Sequence, residues 1–184
     1  MVGRVRRWPG RPWTVAVLAL AVAAAVVGLY WFQPWKLWVD ETVRDELPTA
    51  VSDPGANDPA ESAKPSAPRT LASGELISHE HETTGSVKIL ALADGSRVLR
   101  LENLETSNGP DLRVLITDAA VVDGKDGWHV FDDGKHVRLG KLKGNKGDQN
   151  YALPAGLALD AYTSVSIWCD RFDVSFGAAE LHRA

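Results

Sequence analysis

The stretch SVKILALADGSRVLRLENL, residues 86–104, alternates. Val87, Ile89 and Ala91 take turns with Lys88 and Leu90, the two-residue period of a strand whose faces differ. Asp94-Gly95 follows, where a tight hairpin needs positive φ. On the return, Leu99, Leu101 and Asn103 share one face and Val98, Arg100 and Glu102 the other. The spacing predicts an antiparallel hairpin.

The same grammar continues downstream. Asn108-Gly109-Pro110-Asp111 is a turn, and Leu112, Val114 and Ile116 line one face of the strand after it. Shorter runs recur at HVRLG, NYALP, TSVSIWC and FDVSF, punctuated by glycine, aspartate and asparagine. No segment from Leu71 onward sustains a helical period. Short strands at close spacing predict an all-β domain over residues 71–184, an antiparallel β-sandwich or barrel of about eight short strands.

The N-terminal part has other rules. Arg4, Arg6, Arg7 and Arg11 crowd the start, and no charge follows until Lys36. The uncharged run Pro12–Trp35 is roughly 36 Å long as a helix, enough for a bilayer core of about 30 Å. Trp8 and Trp13 flank one end and Tyr30, Trp31, Trp35 and Trp38 the other, as interfacial aromatic belts do. The reading is a basic cytoplasmic N-terminus over 1–12 and a transmembrane signal anchor over 13–35. Everything after it is then extracytoplasmic: a single-pass protein of the cell membrane. The rival reading is a cleaved signal peptide, since AVAAA carries a small-x-small pattern. That pattern lies inside an apolar run that continues through Val26, Val27 and Leu29. Residues 36–70, with prolines at 48, 54, 59, 65 and 68, read as a flexible tether with a reach of roughly 90 Å.

Composition excludes several functions. The 184-residue chain has net charge −4, which argues against nucleic acid as a partner, and one cysteine, which forbids an intrachain disulfide and a thiolate cluster. The lone methionine is Met1, so no internal thioether ligand exists. C-x-x-C-H, G-x-S-x-G and a glycine loop ending in GK[ST] are absent, and LKGNKGDQ reads as a turn. No nearby histidine and no methionine follows Cys169, unlike a blue-copper ligand loop.

The candidate site residues are few. In SVSIWC, Val165, Ile167 and Cys169 share one side, so alternation turns the sulfur to the apolar face. It is either a small buried hydrophobe or a redox thiol, a haem or metal ligand, or an intermolecular disulfide partner. His79 and His81 are two apart and would share a strand face, as a ligand pair would, or lie on a polar outward face. His129 and His136 flank an acidic loop with Asp123, Asp126, Asp132 and Asp133, whose spacing matches no calcium loop.

Three blocks, ENLETSNGPDLRVLI, GKLKGNKGDQNYALP and SVSIWCDRFDVSFGAAEL, occur in that order. Together they resemble the DM-thirteen domain of bacterial membrane-anchored proteins, also found beside DOMON domains in animal proteins. The resemblance runs from about Gly74 to Leu181. It implies an electron-transfer domain centred on Cys169, as a bare thiol or as ligand to a prosthetic group such as haem. The family's early histidine maps to His79 or His81. The implied partner is a redox protein or a small-molecule electron carrier. The alternative is a non-enzymatic binding or structural module with an inert cysteine, and neither reading makes the chain a stand-alone enzyme.

Overall fold

A computed structural model of the chain describes residues 12–48 and 67–184. The basic cluster Arg4–Arg11 and the proline-rich residues 49–66 lie outside the described residues. The chain divides between Trp35 and Lys36 into two units. The first contains the helix α1, Pro12–Phe32, with no buried side chain.

The second unit is a β-sandwich with eleven strands among the described residues. They are β1 Thr42–Arg44, β2 Arg69–Glu75, β3 Ile77–Ser78, β4 Thr84–Ala91, β5 Arg97–Glu105, β6 Leu112–Thr117, β7 His136–Lys141, β8 Lys146–Ala152, β9 Ser164–Cys169, β10 Val174–Glu180 and β11 His182–Arg183. The sheets run β1-β8-β5-β4-β2-β11 and β3-β10-β9-β6-β7. Every pairing is antiparallel except β1 on β8. The chain changes sheet at Leu76, between β2 and β3, and again at Leu181, between β10 and β11. The strands beyond the expected eight or so are the two- and three-residue ones at sheet edges.

The hairpin of residues 86–104 forms as its alternation requires. Gly95, at φ 82, turns the chain, and the Asp94 carboxylate accepts from both the N–H and the hydroxyl of Ser96. Val87, Ile89, Leu99 and Leu101 then face the other sheet's Leu112, Val114, Ile116, Val165 and Ile167 in one buried core. Asn103 departs from expectation. It sits at φ 51, where the register of β5 slips between Leu101 and Leu104. The bulge turns Asn103 out, and Leu104 enters the core instead.

The second sheet is buried on both faces. All six residues of β9 are buried, so its serines meet no solvent. The connection between β6 and β7 lies over the outer face. There Phe131 packs with Trp168, Leu115 and Ala178, flanked by Ala119, Val121 and Val130.

The reading of 36–70 as free chain meets a difference at its start. Thr42–Arg44 pairs in parallel with Lys146–Asp148, so the sheet takes in chain upstream of Leu71. Arg44, which ends β1, and Arg69, which opens β2, belong to the same sheet.

Candidate functional site

Cys169 closes β9, in register with Leu112 on one side and Val174 on the other. Alternation predicts an inward sulfur, and the side chain is 0% exposed within the main core. A turn follows at once: the Phe172 N–H donates to the Cys169 carbonyl and the Asp170 N–H to the Asp111 carbonyl. Asp173 adopts φ 50 and returns the chain to β10. Burial pushes the thiol pKa up. The backbone N–H groups of Arg171, Phe172 and Asp111 pull it down without cancelling the burial. The folded thiol is therefore neutral at physiological pH.

The two early histidines do not share a strand face. β3 ends at Ser78, and residues 79–81 bend. Freed from strand parity, the rings part. His79 is 8% exposed and stacks on Phe131 with centroids 5.6 Å apart, while His81 lies 3.9 Å from the Phe176 ring.

His79 belongs to a polar cluster beneath the β6–β7 connection. Its Nδ1 is 2.8 Å from Ser175 Oγ, which is 2.9 Å from Ser166 Oγ and donates to the Gly177 carbonyl at 3.1 Å. Nε2 makes no hydrogen bond of normal geometry, and neither do the buried indole nitrogens of Trp128 and Trp168, although the Val122 carbonyl lies close enough to the His79 ring to favour its protonated form. Trp168 is the register partner of Ser175 across β9–β10, and Phe131 meets its ring edge-on at 6.5 Å.

No contact among the described residues joins Cys169 to His79 or His81. The sulfur points between the sheets, whereas His79 bonds to Ser175 on the outer face. A haem held by Cys169 does not fit this packing, because core side chains enclose the sulfur and leave no space beside it for an iron and its macrocycle. His129 Nδ1 donates to the Asp173 carbonyl at 2.5 Å, and His136 Nδ1 to the Gly134 carbonyl at 3.1 Å. Among the described residues no group of three His, Cys, Asp or Glu side chains is placed to hold a metal ion, the acidic loop included.

The histidines set a pH dependence. Burial holds His79 and His81 below their ordinary 6.5; Val122 and Asp123 oppose this at His79, and Glu80 at His81. Below pH 6.5 the unfolded chain therefore binds more protons than the folded one. The stability they confer is present above that pH and is lost as pH falls towards the folded values. The melting temperature is expected to drop from pH 7.5 to pH 5, and His79→Gln to flatten the drop. An unchanged slope in that variant, followed by circular dichroism, would exonerate His79.

Ser166, Ser175 and Trp168 are not legible from the sequence as a buried set, since alternating serines read as a solvent face. The family model described as Electron transfer DM13 matches residues 75–181, more than half of the 184-residue chain. No curated protein and no solved structure matches the chain.

Proposed function

The chain belongs to the electron-transfer DM13 family, and on that footing we propose that it is a membrane-tethered, extracytoplasmic electron-transfer domain with Cys169 as its redox centre, used as a bare thiol. The tethering rests on α1, a 21-residue helix with mean hydropathy 2.4 and no buried side chain. The orientation, N-terminus in the cytoplasm and sandwich outside, is supported by the arginines before it, since basic flanks stay cytoplasmic. A cleaved signal sequence is the other use of such a helix. The intact mass of protein extracted from membranes separates the two.

One observation carries the cysteine. The only thiol in the chain lies beside the N–H groups of Asp111, Arg171 and Phe172, which favour negative charge on sulfur and oppose, without overcoming, the burial that keeps the thiol neutral. The N–H groups of Arg171 and Phe172 are fixed by the β9–β10 turn and that of Asp111 by the turn before β6, before any proton leaves, so they cost no reorganisation when it does. The electrons go to or come from a redox protein or a small diffusible carrier. His79 and His81 have no part in this reading.

The test is voltammetry of the full chain in lipid nanodiscs. The wild type is expected to give a redox wave that Cys169→Ser abolishes while its circular dichroism is unchanged. A wave that survives the substitution removes Cys169 from the role. Absence of a wave from folded wild type removes the thiol-centred reading altogether. The second reading, a binding or structural module with an inert cysteine, is favoured by the complete burial of Cys169 and would then stand.

A further inference from the structure

The segment just after α1 contributes little to the core. Thr42 and Arg44 are exposed and Val43 is half-buried, outside the main cluster. Yet backbone and charge hold the segment closely. The Lys146 N–H donates to the Glu41 carbonyl and the Asp45 N–H to the Asp148 carbonyl, on either side of the parallel β1–β8 pairing. Asp40 reaches Lys146 Nζ at 3.0 Å, and Asp45 reaches Lys143 Nζ at 2.5 Å and the Asn150 N–H at 2.8 Å.

The surface that receives it is built for a strand. A Cβ at Gly144 would lie 2.3 Å from the Glu41 carbonyl oxygen, and one at Gly147, where φ is 93, would lie 2.0 Å from that of Val43. Asn145 is 1% exposed and uses both ends of its amide. Oδ1 accepts from the Glu41 N–H at 2.7 Å, and Nδ2 donates to Asp40 and to the Thr106 carbonyl, both at 2.8 Å. Arg100 is 5% exposed and donates through Nη1 to the carbonyls of Asp45 and Glu46 at 3.1 and 3.3 Å.

This surface does not depend on the strand for its shape. Arg100 is also held by Glu102, Asp148 and Asn150. The loop carrying Gly144 and Asn145 is locked from beneath by buried Gln149. Its Nε2 donates to the Gly144 carbonyl at 2.7 Å, and its Oε1 accepts from the Lys143 N–H and the Tyr151 hydroxyl. Burial pushes the Tyr151 phenol up to about 12, so that hydroxyl stays a donor.

We propose that the β8 edge is a docking groove for an extended acidic peptide, and that residues Asp40–Glu46 occupy it as an exchangeable ligand in cis. The groove reads parallel backbone pairing and two carboxylates five residues apart, one on Lys146 and one on Lys143. The occupant brings no core side chain, so its departure leaves the sandwich closed. None of this depends on Cys169.

The test uses the full chain in detergent micelles, with a site-specific protease sequence inserted after Pro59. After cleavage, the N-terminal fragment is expected to co-elute with the sandwich on size exclusion. A synthetic peptide of residues 38–48 added in excess should then displace it. The same peptide with Asp40→Ala and Asp45→Ala should need at least about tenfold more for equal displacement, since two charge-assisted contacts are gone. Fragments that separate on cleavage without peptide overturn the groove. Fragments that stay together at any peptide concentration overturn the exchange. Equal potency of the two peptides overturns the acidic specificity. Gly147→Val gives a second arm: cleaved variant with native circular dichroism should lose the N-terminal fragment at once, and retention would count against the strand-receiving geometry.

Discussion

Native Cys169 is expected to react with an aromatic disulfide reagent at least about a thousandfold more slowly than the same thiol in denaturant. Two causes multiply. The sulfur has no exposed surface, so the reagent must wait for an opening. Burial also raises the thiol pKa, so the reactive thiolate is scarce even where access is granted. A thousandfold corresponds to about 4 kcal/mol of opening, near the lower end of whole-domain stability. The alternative outcome is informative in structural terms. Reaction within about tenfold of the denatured rate would mean that the Asp170–Asp173 turn lifts by itself. Phe172, 37% exposed at that turn, is the place for it to start. A slow thiol confines Cys169 to electron transfer without covalent exchange, whereas a fast one admits mixed disulfides with a partner.

What the sequence made legible follows from where side chains carry the signal. The hairpin of 86–104 and the strand Leu112–Thr117 put apolar residues at every second position, and those residues are the core. The inward turn of Cys169 was legible for the same reason. β1 was not, because Thr42–Arg44 is held through its backbone and by charged neighbours, and an acidic, proline-flanked segment reads as free chain. The histidine pair was misread because strand parity was carried two residues past Ser78, where β3 ends. The outer layer over β9 was hidden too. Its serines are buried not by their own strand pattern but by the Asp118–Lys135 connection, whose Phe131 is 0% exposed and gives no periodicity to read.

Truncating Trp168 to alanine is expected to cost about 3–5 kcal/mol in urea unfolding, a large share of the 5–15 kcal/mol that holds a domain together. The ring is 0% exposed and packs with Phe131, Leu115 and Ala178 on that face of the second sheet. Losing it leaves a void between β9 and the β6–β7 connection that the rigid sheet backbone cannot collapse to fill. Trp168→Phe should behave differently. It keeps most of the apolar contact with Phe131 and deletes Nε1, a buried donor without a partner. An unpaired buried donor costs about 1–3 kcal/mol, so its removal offsets much of the lost volume and the net change should stay below about 1.5 kcal/mol. If phenylalanine proves as costly as alanine, the indole nitrogen is not an orphan in solution, and an ordered water or a shifted Ser175 must meet it. The phenylalanine variant also bears on the proposed electron flow, because Trp168 is an oxidisable ring next to Cys169 in the chain, buried on the opposite face of β9. A stable Trp168→Phe protein that keeps the Cys169 wave at unchanged rate shows that the ring acts in packing alone; a wave slowed several-fold on an intact fold puts the indole in the path.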